Sequence, residues 1–292
     1  MPYTILTDTS ANLPTPLLRQ YDIAVLPFQY FIEGEAHTCQ DTEQFDDKAY
    51  YGMIRRGVRV TTSQITPQTY ADVMTPFLEQ GNDILFIGMS SGISGSFHCA
   101  EIASEELREQ YPRRVIRLVD TKGASLGEGL HALWAAQQRA KGMSLEQVTD
   151  ALEKRCRETY QSFTVDDLMH LRRSGRLSNA AAVIGTVLGI KPILKGDEEG
   201  RIVACAKVRG RKQSIRAIAE KYRALVRHPE AQTVGIAHAD CPEDAETLAE
   251  MIRQIAPPKE IMTVKYEPVT GSHVGPGALA LFFLGDEQVR GC

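Results

Sequence analysis

The sequence predicts an α/β protein made of two α/β domains. In the first half, short apolar runs typical of strands alternate with longer amphipathic segments typical of helices, a pattern that favours a mostly parallel sheet with helices on both faces. After about residue 160, strand-like runs follow one another more closely, with two long amphipathic helices between them; this favours a mixed sheet. We expect an N-terminal domain at residues 1–160 and a C-terminal domain at residues 161–292.

The predicted elements of the first domain follow in a regular order. Strands are indicated by YTILTD at the start of the chain, by DILFIG and by VIRLVD. IAVLPFQYFIEGEAH indicates two short strands with a turn near Gly34. Helices are indicated by FDDKAYYGMIRRG, QTYADVMTPFLEQG, SFHCAEIASEELREQY and GEGLHALWAAQQRAKGMS. A further helix begins at a capping box formed by Ser144 and Gln147.

In the second domain, the predicted strands and helices do not alternate regularly. Strands are indicated by QSFTVDD, RIVACAKV, TVGIAHA, IMTVKYEPV and ALALFFLG. RKQSIRAIAEKYRALVRH and EDAETLAEMIRQIA indicate long amphipathic helices, and DLMHLRRSG indicates a short one. NAAAVIGTVLGIKPIL indicates a helix with many small residues, along which either an extended apolar ligand or a closely packed helix would fit.

Composition excludes several classes of protein. A formal net charge of −4 argues against a nucleic-acid-binding protein, which needs a basic excess to offset phosphate charge. The six scattered cysteines form no C-x-x-C pair, and no secretory signal or membrane-spanning run is present, so we expect a soluble cytoplasmic protein with reduced thiols. Since the chain has neither a P-loop nor a dinucleotide-binding motif, no cofactor is predicted.

Four polar segments lie at the edges of predicted elements, at residues 7–10, 61–64, 88–95 and 271–277. The TDTS of the first favours capping or an Asx turn over ligand contact. TTSQ at 61–64 either holds an anion through its hydroxyls or caps the following helix. The glycines and proline of 271–277 predict a constrained loop that presents His273 to a ligand.

The third segment permits two chemistries. Gly88-x-Ser90-x-Gly92 matches the nucleophile elbow of a serine hydrolase, with His273 as the base and Asp166 or Asp240 behind it. The predicted helix begins several residues after Ser90, however, whereas an elbow needs it immediately. The wider Gly-rich loop favours an anion at the helix N-terminus, beside Ser94.

Together these segments resemble the DegV family of fatty-acid-binding proteins. The matching motifs occur in family order along nearly the whole chain: ILTDTSANLP, TTSQITP, SSGISGSF, VDTKGASLGEGL, LMHLRRSGRLSNAAAVIGTVLGIKPIL and HVGPGALAL. The resemblance implies a non-catalytic lipid carrier. A long-chain fatty acid would lie in an apolar tunnel, with its carboxylate at the domain boundary.

The resemblance also implies the binding residues. The carboxylate would be bound by Thr62, Ser63, Ser94, Gly95, His273 and Gly275. Arg176 would lie beside the head group, where a positive charge lowers the cost of desolvating an acid. Three positions depart from the family pattern: Ile65 replaces a proline, Ser96 replaces a threonine, and Ser174 replaces the first glycine of GGR. If that glycine needs a positive φ, Ser174 affects the placement of Arg176.

Some members of the family present the acid to a separate fatty acid kinase, which phosphorylates it with ATP. The acyl phosphate then stays on the carrier and feeds phospholipid synthesis. By this resemblance, the basic run around Arg209, Arg211 and Lys212 is either a docking surface for the kinase or a solvated helix start.

Overall fold

The computed structural model describes residues 2–178 and 189–291. These residues form two compact units, one of residues 2–45 and 61–156, the other of residues 46–60, 157–178 and 189–291. The second unit therefore includes an excursion of the chain that precedes residue 160. A division into domains at 1–160 and 161–292 stays a prediction.

The strands are β1 Tyr3–Asp8, β2 Ile23–Leu26, β3 Gln29–Ile32, β4 Glu35–Thr38, β5 Val60–Ser63, β6 Asp83–Gly88, β7 Ile116–Asp120, β8 Thr159–Thr164, β9 Ile190–Gly196, β10 Ile202–Arg209, β11 Thr233–His238, β12 Glu260–Lys265 and β13 Leu279–Leu284. The helices are α1 Thr15–Gln20, α2 Asp47–Arg55, α3 Pro67–Glu79, α4 Ser96–Gln110, α5 Leu126–Ala140, α6 Leu145–Glu158, α7 Met169–Arg173, α8 Arg211–Leu225, α9 Pro242–Ile255 and α10 Pro268–Val274. The predicted α/β class is confirmed.

A four-stranded parallel sheet forms the centre of the first unit, in the order β2-β1-β6-β7. Every residue of β1 and β6 is buried, as expected for parallel strands covered on both faces. Because β1 and β6 pair in parallel, with Leu6 opposite Phe86, their C-terminal ends lie at the same edge of the sheet. The polar segments at 7–10 and 88–95 both begin at this edge.

The segment between Ile23 and Thr38 contains three strands, and the prediction of two is wrong. β2 pairs with β1 in the parallel sheet, whereas β3 and β4 form an antiparallel hairpin within a second sheet of order β4-β3-β5. The predicted turn at Gly34 is confirmed, with positive φ at Glu33 and Gly34. Pro27 separates β2 from the hairpin, and β2 joins the parallel sheet through its pairing with β1.

Two helix starts in the first unit test the expected caps. The capping box before α6 is confirmed: the Ser144 N–H donates to Gln147 Oε1, and the Gln147 N–H donates to Ser144 Oγ. At α3 the cap is Thr66, whose hydroxyl accepts the N–H of Thr69. TTSQ does not cap this helix, because residues 60–63 form strand β5.

The second unit is built on a six-stranded mixed sheet of order β10-β9-β8-β13-β11-β12. Its strand pairs are antiparallel except for β11 with β12. Helices α8 and α9 cover an apolar core in which Tyr222 and Tyr160 both contact the ring of Phe283. Helix α2 belongs to this unit, and its Tyr51 hydroxyl donates to the carbonyl of Tyr266 over 2.8 Å.

The structure describes only the last six residues, 189–194, of the helix predicted at 179–194. Its residues 179–188 lie outside the described residues. Residues 190–194 belong to strand β9, which pairs with β10 and β8, so the predicted helix is wrong there. Within residues 2–178 and 189–291, no helix has both the length and the apolar character needed to span a membrane.

Candidate functional site

In the first unit, the two residues after strand β5 form hydrogen bonds with the start of helix α4. The Ile65 N–H donates to Ser96 Oγ over 3.1 Å, and the Gln64 side-chain amide donates to Cys99 Sγ over 3.4 Å. Gly95 lies so close to the Gln64 amide oxygen that a Cβ there would overlap it. These hydrogen bonds bring two predicted binding segments of this unit close together. One segment contains Thr62 and Ser63, and the other contains Ser94 and Gly95.

Ser94 lies at the N-terminal end of α4, partly exposed. Its hydroxyl accepts the N–H of Ser96 over 3.2 Å and donates to Ser96 Oγ over 3.1 Å. The first N–H groups of a helix lack internal acceptors, and the helix dipole favours negative charge at this end. A carboxylate here would receive backbone N–H groups and the Ser94 hydroxyl proton, which can turn from Ser96 to the ligand.

Ser90 does not have the geometry of an elbow. Its side chain is fully buried, and its hydroxyl accepts the N–H of Gly92 over 3.0 Å. Its carbonyl accepts the N–H groups of Ile93 and Ser94. Helix α4 begins only at Ser96, whereas an elbow places the helix directly after the nucleophile. Ser90 therefore forms the turn that carries Ser94.

A second G-x-S-x-G sequence, centred on Ser125, was not predicted as an elbow but has the elbow backbone. Ser125 has φ 53° and ψ −137°, and α5 begins at the next residue. Its side chain is 1% exposed and donates to Asn12 Oδ1 over 3.3 Å. The buried hydroxyl thus connects α5 to the segment after β1.

In the second unit, Arg176 follows the end of helix α7. The Arg176 N–H donates to the Leu171 carbonyl and the Gly175 N–H donates to that of Arg172, the two bonds of a Schellman cap. Gly175 takes the required positive φ, 73°, while Ser174 has φ −83°. Serine in place of the family's first glycine therefore leaves the placement of Arg176 unstrained.

His273 lies in the last turn of helix α10, so the loop predicted at 271–277 is wrong over residues 271–274 and confirmed over residues 275–277. Glu267 caps this helix by accepting the N–H groups of Val269 and Thr270. Gly271, which suggested a loop, allows close packing instead, since a Cβ there would overlap the Tyr51 hydroxyl. Gly275 ends the helix with φ 76°.

The two predicted head-group residues of this unit influence each other. Gly275 brings α10 against α7 so closely that a Cβ at 275 would overlap the ring of His170. Burial, together with the positive charge of Arg176, lowers the pKa of His273 to about 4. Burial also lowers the pKa of Arg176. Near neutral pH the pair therefore offers one guanidinium cation and one neutral imidazole.

The basic run at the start of α8 is only partly on the surface. Arg211 forms a 2.8 Å ion pair with Asp244 and lies 3.8 Å from Asp166. Arg209 and Lys212 are exposed. Of the three cations predicted as a docking surface, these two are the ones presented to solvent.

Two buried acids were not among the predicted site residues. Asp8 accepts the N–H of Ser10 over 2.9 Å, which confirms the predicted capping turn in TDTS. Glu128 is fully buried nearby and accepts the Thr7 hydroxyl over 2.8 Å. No signal in the sequence pairs residues 120 positions apart. The described part of the chain contains no cluster of His, Cys, Asp and Glu suited to a metal ion.

Comparison with known proteins gives matches over nearly the full length. The DegV family model, described as an uncharacterised protein family, matches residues 2–286. A DegV domain-containing protein of Clostridium perfringens is 39% identical over 286 residues, 98% of each chain. One from Streptococcus pyogenes is 32% identical over 99% of this chain and 100% of its own.

Solved structures agree with the sequence matches. A fatty-acid-binding DegV protein from Thermus thermophilus superposes with a TM-score of 0.89 at 30% identity, over 98% of this chain and 100% of its own. A fatty-acid-binding DegV protein from Streptococcus agalactiae gives 0.86 at 27% identity, over 98% and 99%. The chain described here belongs to the DegV family.

Proposed function

We propose that this protein binds a long-chain fatty acid and acts as a carrier without catalytic activity of its own. One observation carries the proposal: the fold superposes along nearly its whole length on the Thermus thermophilus protein, which is described as binding fatty acid. A Thermotoga maritima structure described as revealing fatty acid binding also matches, with a TM-score of 0.82 at 26% identity.

In this proposal the residues predicted from the sequence bind the acyl carboxylate. Thr62, Ser63, Ser94 and Gly95 supply hydroxyl and backbone donors in the first unit. The helix start beside Ser94 supports this role, because a charged acceptor strengthens the hydrogen bonds of its donors roughly twofold. In the second unit, Arg176 supplies the positive charge, with His273 and Gly275 beside it.

The acyl chain supplies most of the favourable free energy. Burying ~14 methylene groups at roughly 0.8 kcal/mol each gives about 11 kcal/mol. Association entropy and ordering of the chain take back several kcal/mol. The net free energy corresponds to tight binding, so the ligand should persist through purification.

We further propose that the bound acid is presented to a separate fatty acid kinase. A carboxylate oxygen attacks the γ-phosphorus of ATP, forming an acyl phosphate and releasing ADP. Arg209 and Lys212 are suited to contact an acidic partner, since both are exposed near the start of α8. Charge reversal at both positions should slow acyl phosphate formation by a purified kinase, and an unchanged rate would contradict this docking surface.

Native mass spectrometry of the purified protein tests the carrier proposal. The expected result is added mass equal to a long-chain fatty acid, which organic extraction releases intact. The opposing result is an empty protein that hydrolyses acyl esters and loses this activity in Ser90→Ala. That outcome would replace the carrier with a serine hydrolase using Ser90 and His273.

A further inference from the structure

Two acidic side chains meet inside the first unit. Asp8 is the last residue of β1 and is 1% exposed, and Glu128 lies in the first turn of α5 and is fully buried. The hydroxyl of Ser10 lies between them, 2.5 Å from Asp8 Oδ1 and 2.8 Å from Glu128 Oε2. Gly129 allows α5 to approach this closely, since a Cβ there would overlap the Ala11 carbonyl.

The hydrogen bonds at Ser10 require a proton on one of the two acids. A hydroxyl has one proton to donate, yet Ser10 Oγ is within hydrogen-bonding distance of two carboxyl oxygens. If both acids were ionised, a single hydroxyl proton would have to serve two buried carboxylates whose like charges repel. One acid must therefore be neutral and donate to Ser10, while Ser10 donates to the other.

The contacts, burial and charge of the two acids together identify the neutral one as Glu128. Asp8 faces donors on both oxygens, since Oδ1 accepts the Ser10 N–H and Oδ2 accepts the Met89 N–H over 3.5 Å. Glu128 accepts the Thr7 hydroxyl on Oε1 and a main-chain hydrogen bond from Asp8, and its Oε2 lies 2.8 Å from Ser10 Oγ, where a carboxyl proton can be donated. Burial raises the pKa of both acids, and the charge of Asp8 raises that of Glu128 further.

This pair is connected to the loop that carries Ser94. Met89, which donates to Asp8, is the first residue after β6. The next N–H, that of Ser90, donates to the Gly123 carbonyl over 2.8 Å, just before α5. The Ser90 carbonyl then accepts the N–H of Ser94. Hydrogen bonds from β1 and from the start of α5 thus fix the base of residues 89–95.

We propose that neutral Glu128 and ionised Asp8 are a positioning pair, which holds the 89–95 loop in the shape that presents Ser94 and Gly95 to the acyl carboxylate. This inference rests on the proposed fatty acid binding for its functional consequence. The protonation of the pair follows from contacts within the unit and does not depend on any ligand.

Isosteric amides at the two positions give the sharpest test. In Glu128→Gln the amide nitrogen donates to Ser10 and the amide oxygen accepts from Thr7, so the contacts of the neutral acid are retained. In Asp8→Asn an amide nitrogen must face an N–H or O–H donor, whichever way the side chain is turned. Glu105→Gln, at an exposed position of α4, is the matched control for loss of one negative charge.

The dissociation rate of a fluorescent long-chain fatty acid is measured for each variant at neutral pH. We expect Asp8→Asn to release the fatty acid about tenfold faster than Glu105→Gln. The dissociation rate of Glu128→Gln should stay within about twofold of that of Glu105→Gln. Thermal unfolding identifies a variant that fails to fold. Equal rates in the two amide variants, or faster release in Glu128→Gln than in Asp8→Asn, would overturn the assignment.

A second measurement is independent of fatty acid binding. Infrared spectroscopy of the unmodified protein at neutral pH should show the carbonyl band of a buried carboxylic acid. The band should disappear in Glu128→Gln and persist in Glu105→Gln. If the protein binds no fatty acid but the band behaves this way, the proposed function fails and the neutral acid stands. If the unmodified protein has no such band, the assignment of a neutral Glu128 is wrong, whether or not the protein binds a fatty acid.

Discussion

The main-chain N–H of Ile65 donates to the hydroxyl of Ser96, which is 1% exposed and also receives the hydroxyl proton of Ser94. Ser96 thereby links the segment that follows strand β5 to helix α4. Proline, which the family pattern has at position 65, lacks the N–H that makes this bond. The isoleucine and the serine thus form one connection in this chain.

Ser96→Ala should destabilise the protein by about 1–3 kcal/mol, because two donors lose a buried acceptor. Urea unfolding measures the free energy, and Ser96→Thr, which keeps the hydroxyl, serves as the control. An alanine variant as stable as the threonine variant would show that the hydroxyl does not join the two elements.

Ser94→Ala should weaken fatty acid binding by roughly 10- to 100-fold, the effect of losing one hydrogen bond to a charged group. Ser90→Ala should have the smaller effect, since the Ser90 hydroxyl is fully buried and accepts the N–H of Gly92 in its own loop. Isothermal titration of delipidated protein measures both affinities. Equal or reversed effects would contradict the assignment of Ser94.

His273 should titrate far below an ordinary histidine, with a midpoint near its pKa of about 4. NMR of the imidazole resonances measures the midpoint directly. Arg176→Gln should raise it, because part of the depression comes from the positive charge of Arg176. An unchanged midpoint in this variant would mean that the two side chains do not interact.

The lowered pKa of His273 makes the stability of the folded protein depend on pH. The unfolded chain binds a proton at His273 near pH 6.5, whereas the folded chain binds it only near pH 4. The contribution of neutral His273 to the free energy of unfolding is therefore fully present above about pH 6.5, and it is lost as the pH falls towards about 4. Its upper limit is about 3 kcal/mol, and His273→Gln should remove this part of the acid sensitivity in urea unfolding.

Gly275→Ala should destabilise the second unit more than Gly175→Ala. Both glycines have a positive φ, 76° and 73°, which strains an alanine, and at Gly275 the ψ of 168° gives a combination that only glycine commonly adopts. A Cβ at Gly275 also overlaps the His170 ring, whereas one at Gly175 meets nothing within 4 Å. Urea unfolding compares the two variants. Equal destabilisation would mean that α7 and α10 are not tightly packed there.

Amphipathic periodicity predicted the long helices correctly because the alternation of apolar and polar faces is a local property of the chain. Helix α10 was missed for a physical reason. It has only seven residues, and Gly271 lies within it to admit the Tyr51 hydroxyl from α2. A glycine required by close packing is indistinguishable, in sequence alone, from one required by a turn.

Short motifs predicted part of the local structure of the candidate site, since Ser94 precedes helix α4 as expected, whereas the binding roles of Ser94 and Arg176 stay predictions. The site could not be predicted where distant segments create the chemistry. Asp8 and Glu128 each look like an ordinary acid in the sequence, and their shared hydrogen bonds arise only when α5 packs against the end of β1. The depressed pKa of His273 likewise depends on the packing of α7 against α10.

The central claim is that the protein holds the carboxylate of a long-chain fatty acid. The most direct test compares the binding of one acid and its methyl ester to delipidated protein by isothermal titration, since the two share the acyl chain and differ in charge. We predict that the ester binds at least ~10-fold more weakly. Equal affinity, or hydrolysis of the ester, would contradict the account.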